Sequence, residues 1–89
     1  MEKLMEVGDV FESKENGTII VGINPVHASL NKIGDNIVLR TPENKELELH
    51  VVSVQISNSP TDKKMLGICL GKTIKPTDIP LGSVVYLIS

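Results

Sequence analysis

The stretch Leu47-Glu48-Leu49-His50-Val51-Val52-Ser53-Val54-Gln55-Ile56 decides how this chain folds. Side chains alternate along an extended strand, so Leu47, Leu49 and Val51 share one face. After Val51 the apolar residues change parity, to Val52, Val54 and Ile56. A helix would place its apolar residues three and four apart, and that periodicity is nearly absent throughout the chain. One straight strand cannot turn all six side chains to the same side either. The spacing therefore predicts a β-bulge or sharp bend near Val51-Val52, of the kind that lets small barrels close.

Strands and turns follow on either side of this stretch. Upstream, Asn36-Ile37-Val38-Leu39-Arg40 reads as a strand, and Thr41-Pro42-Glu43-Asn44-Lys45 as the turn that returns it, since proline removes a ladder donor and Asn44 suits a turn. Further upstream, residues 7–13 and 18–23 flank Lys14-Glu15-Asn16-Gly17, whose Asn-Gly pair is a strong hairpin signal. Residues 24–34 form a connection broken by Asn24-Pro25. Downstream, Asn58-Ser59-Pro60-Thr61-Asp62 is a loop by composition, and Lys64-Met65-Leu66-Gly67-Ile68-Cys69-Leu70 is a largely apolar strand in which Cys69 packs as a small hydrophobe. Residues 76–82 hold one helical turn, stopped by Pro80 and reversed by Gly82, before a last strand over 83–88. The expectation is an all-β fold: a small six-stranded closed antiparallel β-barrel over about residues 7–88. Phe11 and Tyr86 are the only aromatics, so Val, Ile and Leu must fill its interior, with Gly22 and Gly67 at corners where backbones approach.

A chain of 89 residues is expected to form one domain, residues 1–89. With 40% apolar and 22% charged residues it is neither disordered nor membrane-spanning in composition, and no apolar run approaches the roughly 20 residues of a spanning helix. Its first residues, Met1-Glu2-Lys3-Leu4-Met5-Glu6, lack the continuous apolar stretch of a signal peptide, so the cytoplasm is the expected location. A net charge of −2 argues against a strong nucleic-acid binder. The charge is uneven, however: residues 1–48 carry nine acids against five bases, and residues 49–89 two acids against four. Lys63, Lys64, Lys72 and Lys75 are those four bases; they read either as a solvated edge that discourages aggregation or as contacts to RNA.

No catalytic, cofactor or metal site is expected. Gly71-Lys72-Thr73 resembles the tail of a phosphate-binding loop, but Leu66 stands where the first glycine is needed and Pro76 blocks the helix that should follow. One cysteine and two distant histidines, His27 and His50, are poor material for a zinc site, and neither histidine is placed as the base of a nucleophile. Asp9, Asp35 and Asp78 flank turn residues, where a hydrogen bond to local backbone accounts for them.

Taken in order, Gly8-Asp9-Val10-Phe11, Gly17-Thr18-Ile19-Ile20-Val21-Gly22, Lys32-Ile33-Gly34-Asp35-Asn36-Ile37-Val38, Val52-Ser53-Val54, Leu66-Gly67-Ile68-Cys69-Leu70 and residues 74–85 resemble the second domain of elongation factor Tu and its relatives. The likeness spans roughly residues 7–88. It implies a six-stranded closed barrel that, in translational GTPases, sits beside the nucleotide-binding domain and in elongation factor Tu helps hold the aminoacyl end of tRNA. Asp9 and Phe11 match the second acid and the aromatic of the family's aminoacyl pocket. Gly8 replaces its first acid, and Lys64-Met65 stands where the family has Glu-Asn. The expected function is a non-catalytic, stand-alone interaction module whose partner is another protein, with a tRNA- or ribosome-binding module as the alternative. The expected partner-binding residues are Asp9, Phe11, Lys63, Lys64, Lys72 and Lys75.

Overall fold

Two consecutive amides define the architecture. Val51 donates to the carbonyl of Asp35 at 2.7 Å, and Val52 donates to the carbonyl of Cys69 at 2.8 Å. In the computed structural model, which describes residues 2–23, 32–58 and 64–88, these two acceptors belong to opposite ends of one sheet. The strands are β1 (Glu2–Ser13), β2 (Gly17–Ile23), β3 (Asn36–Arg40), β4 (Glu46–His50), β5 (Ser53–Asn58), β6 (Lys64–Gly71) and β7 (Val84–Leu87). They form a single antiparallel sheet in the order β4-β3-β7-β1-β2-β6-β5. No helix among the described residues is long and apolar enough to cross a membrane.

The fold class is therefore all-β, as the sequence predicts, but the six-stranded closed barrel is corrected to a seven-stranded open sheet. The expected bend falls at Val51-Val52 and divides the long return strand in two. β4 ladders with β3, whereas β5 ladders with β6. Among the described residues no ladder joins β4 to β5, so the two stand at the ends of the sheet order. The parity switch has a second consequence. Leu49 is buried, but Val52, Val54 and Ile56, expected in the interior, are 59%, 36% and 53% exposed.

β1 holds the two halves of the sheet together. Its residues Glu2 to Glu6 pair with β7, and its residues Glu6 to Ser13 pair with β2. The strand was expected to begin at Val7; it extends back to Glu2 by pairing with β7, in a ladder that skips Leu4 between Lys3 and Met5. That irregularity turns both Leu4 and Met5 inward, where they are almost fully buried, although strict alternation would expose one of them. A second shift, between Val7 and Asp9, lies at Gly8. Gly22 does lie at a close approach, but to the side chain of Met5, which a Cβ there would overlap, and not to another backbone; at Gly67 a Cβ would meet only ordinary contacts.

One apolar cluster joins both halves: Ile37, Leu39, Leu49, Val85 and Leu87 from one, Val7, Ile20, Leu66, Ile68 and Leu70 from the other, with Leu4, Met5 and Ile79. The turns follow the chemistry of their residues. Asn44 adopts φ 65° between β3 and β4, with its amide on the carbonyl of Thr41 at 2.9 Å. In the first hairpin Ser13 pairs with Gly17, leaving the three-residue loop Lys14-Glu15-Asn16, and Gly17, which follows it at φ 74°, takes the left-handed conformation. The helical turn expected over residues 76–82 is a single 3-10 turn, Pro76–Asp78, capped by Asp78 through the amide of Lys75 at 3.0 Å.

Candidate functional site

Directly opposed residues in an antiparallel ladder project to the same face. Phe11 of β1 lies opposite Ile19 of β2, Ile19 opposite Cys69 of β6, and Cys69 opposite Ser53 of β5. The next row runs Asp9, Val21, Gly67 and Gln55. These rows cross four strands on the face opposite the apolar cluster, and Met65 and Ser57 extend it along β6 and β5.

The face is apolar and almost free of charge. Phe11 is 52% exposed, Ile19, Val21 and Met65 are half-buried, and Asp9 is the one ionisable residue among the residues of these rows except for the thiol of Cys69. Gly67 contributes no side chain, and an open trough of about 410 Å³ runs over it between Ile19, Val21, Gln55 and Met65. Cys69 is buried beneath its end, with Sγ donating to the carbonyl of Asn16 at 2.9 Å. Asp9 accepts the amide of Val10 at 2.8 Å beside the irregularity at Gly8, the local backbone bond its position suggests. Asp78 does the same for Lys75.

Asp9 and Phe11, two residues apart on one strand, thus share a face. The lysines do not gather on it. Lys72 follows β6 and lines an open depression at the tip of the first hairpin with Glu12, Ser13, Lys14 and Gly17. Lys75 caps the 3-10 turn, next to Ile74, whose carbonyl accepts the hydroxyl of the buried Thr18. Lys64 opens β6 at its other end, opposite Asn58, and at ~3.3 Å per residue the eight steps to Lys72 amount to about 26 Å. Lys63 and His27 lie outside the described residues. His50 ends β4 on the exposed face, its Nδ1 3.2 Å from Oδ1 of Asn36. After Gly71, at φ 84°, the chain bends through Lys72 and Thr73 into the 3-10 turn. Among the described residues no three His, Cys, Asp or Glu side chains are gathered to hold a metal ion.

Ile19, Val21, Met65, Gly67 and Gln55 are not among the partner-binding residues expected from sequence. Their signal was present: β2 and β6 are apolar at both parities, so a second face had to be either covered or left apolar at the surface. Together the open sheet and this face define a small all-β protein with an apolar surface that no strand covers among the described residues. Compared with known proteins, the chain matches no family model, no curated protein and no solved structure.

Proposed function

We propose that the chain is a non-catalytic, stand-alone interaction module of the translation-factor second-domain type, and that its partner is another protein. The observation that carries this reading is Phe11, the chain's one phenylalanine, held mid-strand with half of its surface in solvent at the head of an apolar face. An aromatic in that position contributes little to the core, whereas protein interfaces are enriched in aromatics and methionine and depleted of charge at their centres. Ile19, Val21 and Met65 supply the surrounding apolar area, and Gln55 and Ser57 its polar border. The ordered likeness to the second domain of elongation factor Tu supports a link to translation, and a protein as partner fits the replacements at Gly8 and Lys64-Met65, which remove polar groups of the family's aminoacyl pocket. The separation of Lys64 from Lys72, and the company of Glu12 beside Lys72, weigh against one continuous phosphate-binding surface.

The test is affinity purification from the native host with crosslinking mass spectrometry, comparing wild type with Phe11→Asp. The expected result is a protein crosslinked through β1 or β6 and lost about 30-fold in the variant, the loss of an aromatic anchor worth about 2 kcal/mol, while the melting temperature is unchanged. Retention of tRNA or ribosomes instead, strong at about 50 mM salt and abolished as salt rises, would reassign the module to nucleic acid.

A further inference from the structure

The edge strand β5, whose Ser53, Gln55 and Ser57 border the Phe11 face, presents a second kind of surface in its outer backbone edge. Among the described residues no strand lies on its outer side, and Ser53 through Ser57 are all exposed. Soluble proteins defend such edges with lysine, proline, inward charges or bulges, because the unpaired N–H and C=O groups template pairing with another chain. β5 has none of these within it: no ionisable residue and no proline occurs from Val51 through Asn58. The other edge, β4, is defended by Glu46, Glu48 and His50.

The composition of β5 also says which strand fits. Ser53-Val54-Gln55-Ile56-Ser57 has nearly the same chemistry read in either direction. A two-fold axis perpendicular to the sheet, passing beside Gln55, pairs two copies antiparallel and keeps equivalent faces on the same side. In that register Gln55 opposes Gln55, Val54 opposes Ile56, and Ser53 opposes Ser57, so amide meets amide, aliphatic meets aliphatic and hydroxyl meets hydroxyl. Each is a favourable kind of cross-strand pair, and no like charges are opposed. The same operation applied to β4 and centred on Glu48 would set carboxylate against carboxylate. Val54 and Ile56 fall opposite Ile68 and Leu66 of β6, so in the pair they would extend the aliphatic rows of the core side across the axis.

We propose that β5 is a homotypic docking edge, where a second copy of this chain adds its own β5 antiparallel in a register centred on Gln55. The contact is one strand wide, so the dimer is reversible and its population depends on concentration.

Sedimentation velocity of the wild-type chain over a range of concentrations, beside Gln55→Lys and Gln55→Glu, tests this. Wild type is expected to shift from the 9.7 kDa monomer toward twice that mass as concentration rises. Each variant alone places like charges face to face at the axis and is expected to stay monomeric. An equimolar mixture of the two sets Lys against Glu and is expected to restore the dimer. Residue 55 is exposed, and an unchanged thermal melt of each variant shows that the loss is not one of folding. A wild type that stays monomeric at every concentration, or single variants that dimerise as wild type does, would overturn the proposal, the first leaving β5 for a strand of another protein and the second placing the contact elsewhere. Phe11→Asp is expected to leave this mass shift intact, which separates the test from that of the apolar face.

Discussion

β4 and β5 are neighbours in sequence, five and six residues long, yet they end the sheet by opposite rules. β4 alternates charged and apolar residues. Its Glu46 meets Arg40 at 3.1 Å, its Glu48 accepts from Asn36 at 2.8 Å, and its Leu49 is 6% exposed against Ile37 and the core. β5 alternates hydroxyl or amide with aliphatic residues and exposes both sets. Leu47 of β4 is exposed like the aliphatics of β5, so the contrast in roles lies between Leu49 and Ile56. Leu49 stabilises the monomer by burial, whereas Ile56 leaves most of its apolar area in water, where it contributes little until something covers it.

Four variants break or sharpen that contrast, in decreasing order of effect. Cys69 lies opposite Ser53 beneath the β5 half of the sheet, and Cys69→Asp would set an unpaired carboxylate against the carbonyl of Asn16. It should cost at least about 3 kcal/mol, and an unchanged melting curve would contradict the placement of β6. Leu49→Ala should lower stability by about 2 to 4 kcal/mol in urea denaturation, marking β4 as part of the core. Glu46→Gln with Glu48→Gln removes exposed polar pairs and should cost less than about 1 kcal/mol, but light scattering should show association that wild-type β4 prevents. Ile56→Ala should change the stability of the dilute monomer by about 0.5 kcal/mol or less; a loss as large as that at Leu49 would erase the distinction between the edges.

Much of this was legible in the chain. The change of parity at Val51-Val52 located the corner, Asn16-Gly17 and Asn44 located two hairpins, and Gly82, at φ 86°, located the reversal before β7. Local chemistry fixes such features, because each depends on the conformations a few residues allow. The state of the edges was not legible in the same way: it depends on two amides choosing Asp35 and Cys69, partners distant from each other in sequence. Nor was the first half of β1, since Leu4-Met5 breaks alternation and the segment pairs with the distant β7 across a register shift. For the site, Asp9 and Phe11 could be read as a pair because a strand holds residues two apart on one face. The grouping of Lys64 with Lys72 in sequence becomes a separation in space, because an extended strand runs between them.

Amide hydrogen exchange, resolved by residue and measured at a dilute and a concentrated protein sample, tests the open, self-pairing edge most directly. On concentration, alternate amides of Ser53–Asn58 should become protected while those of Glu46–His50 keep their dilute-sample rates. Equal rates in β5 at both concentrations, or protection that rises in β4 instead, would contradict the account.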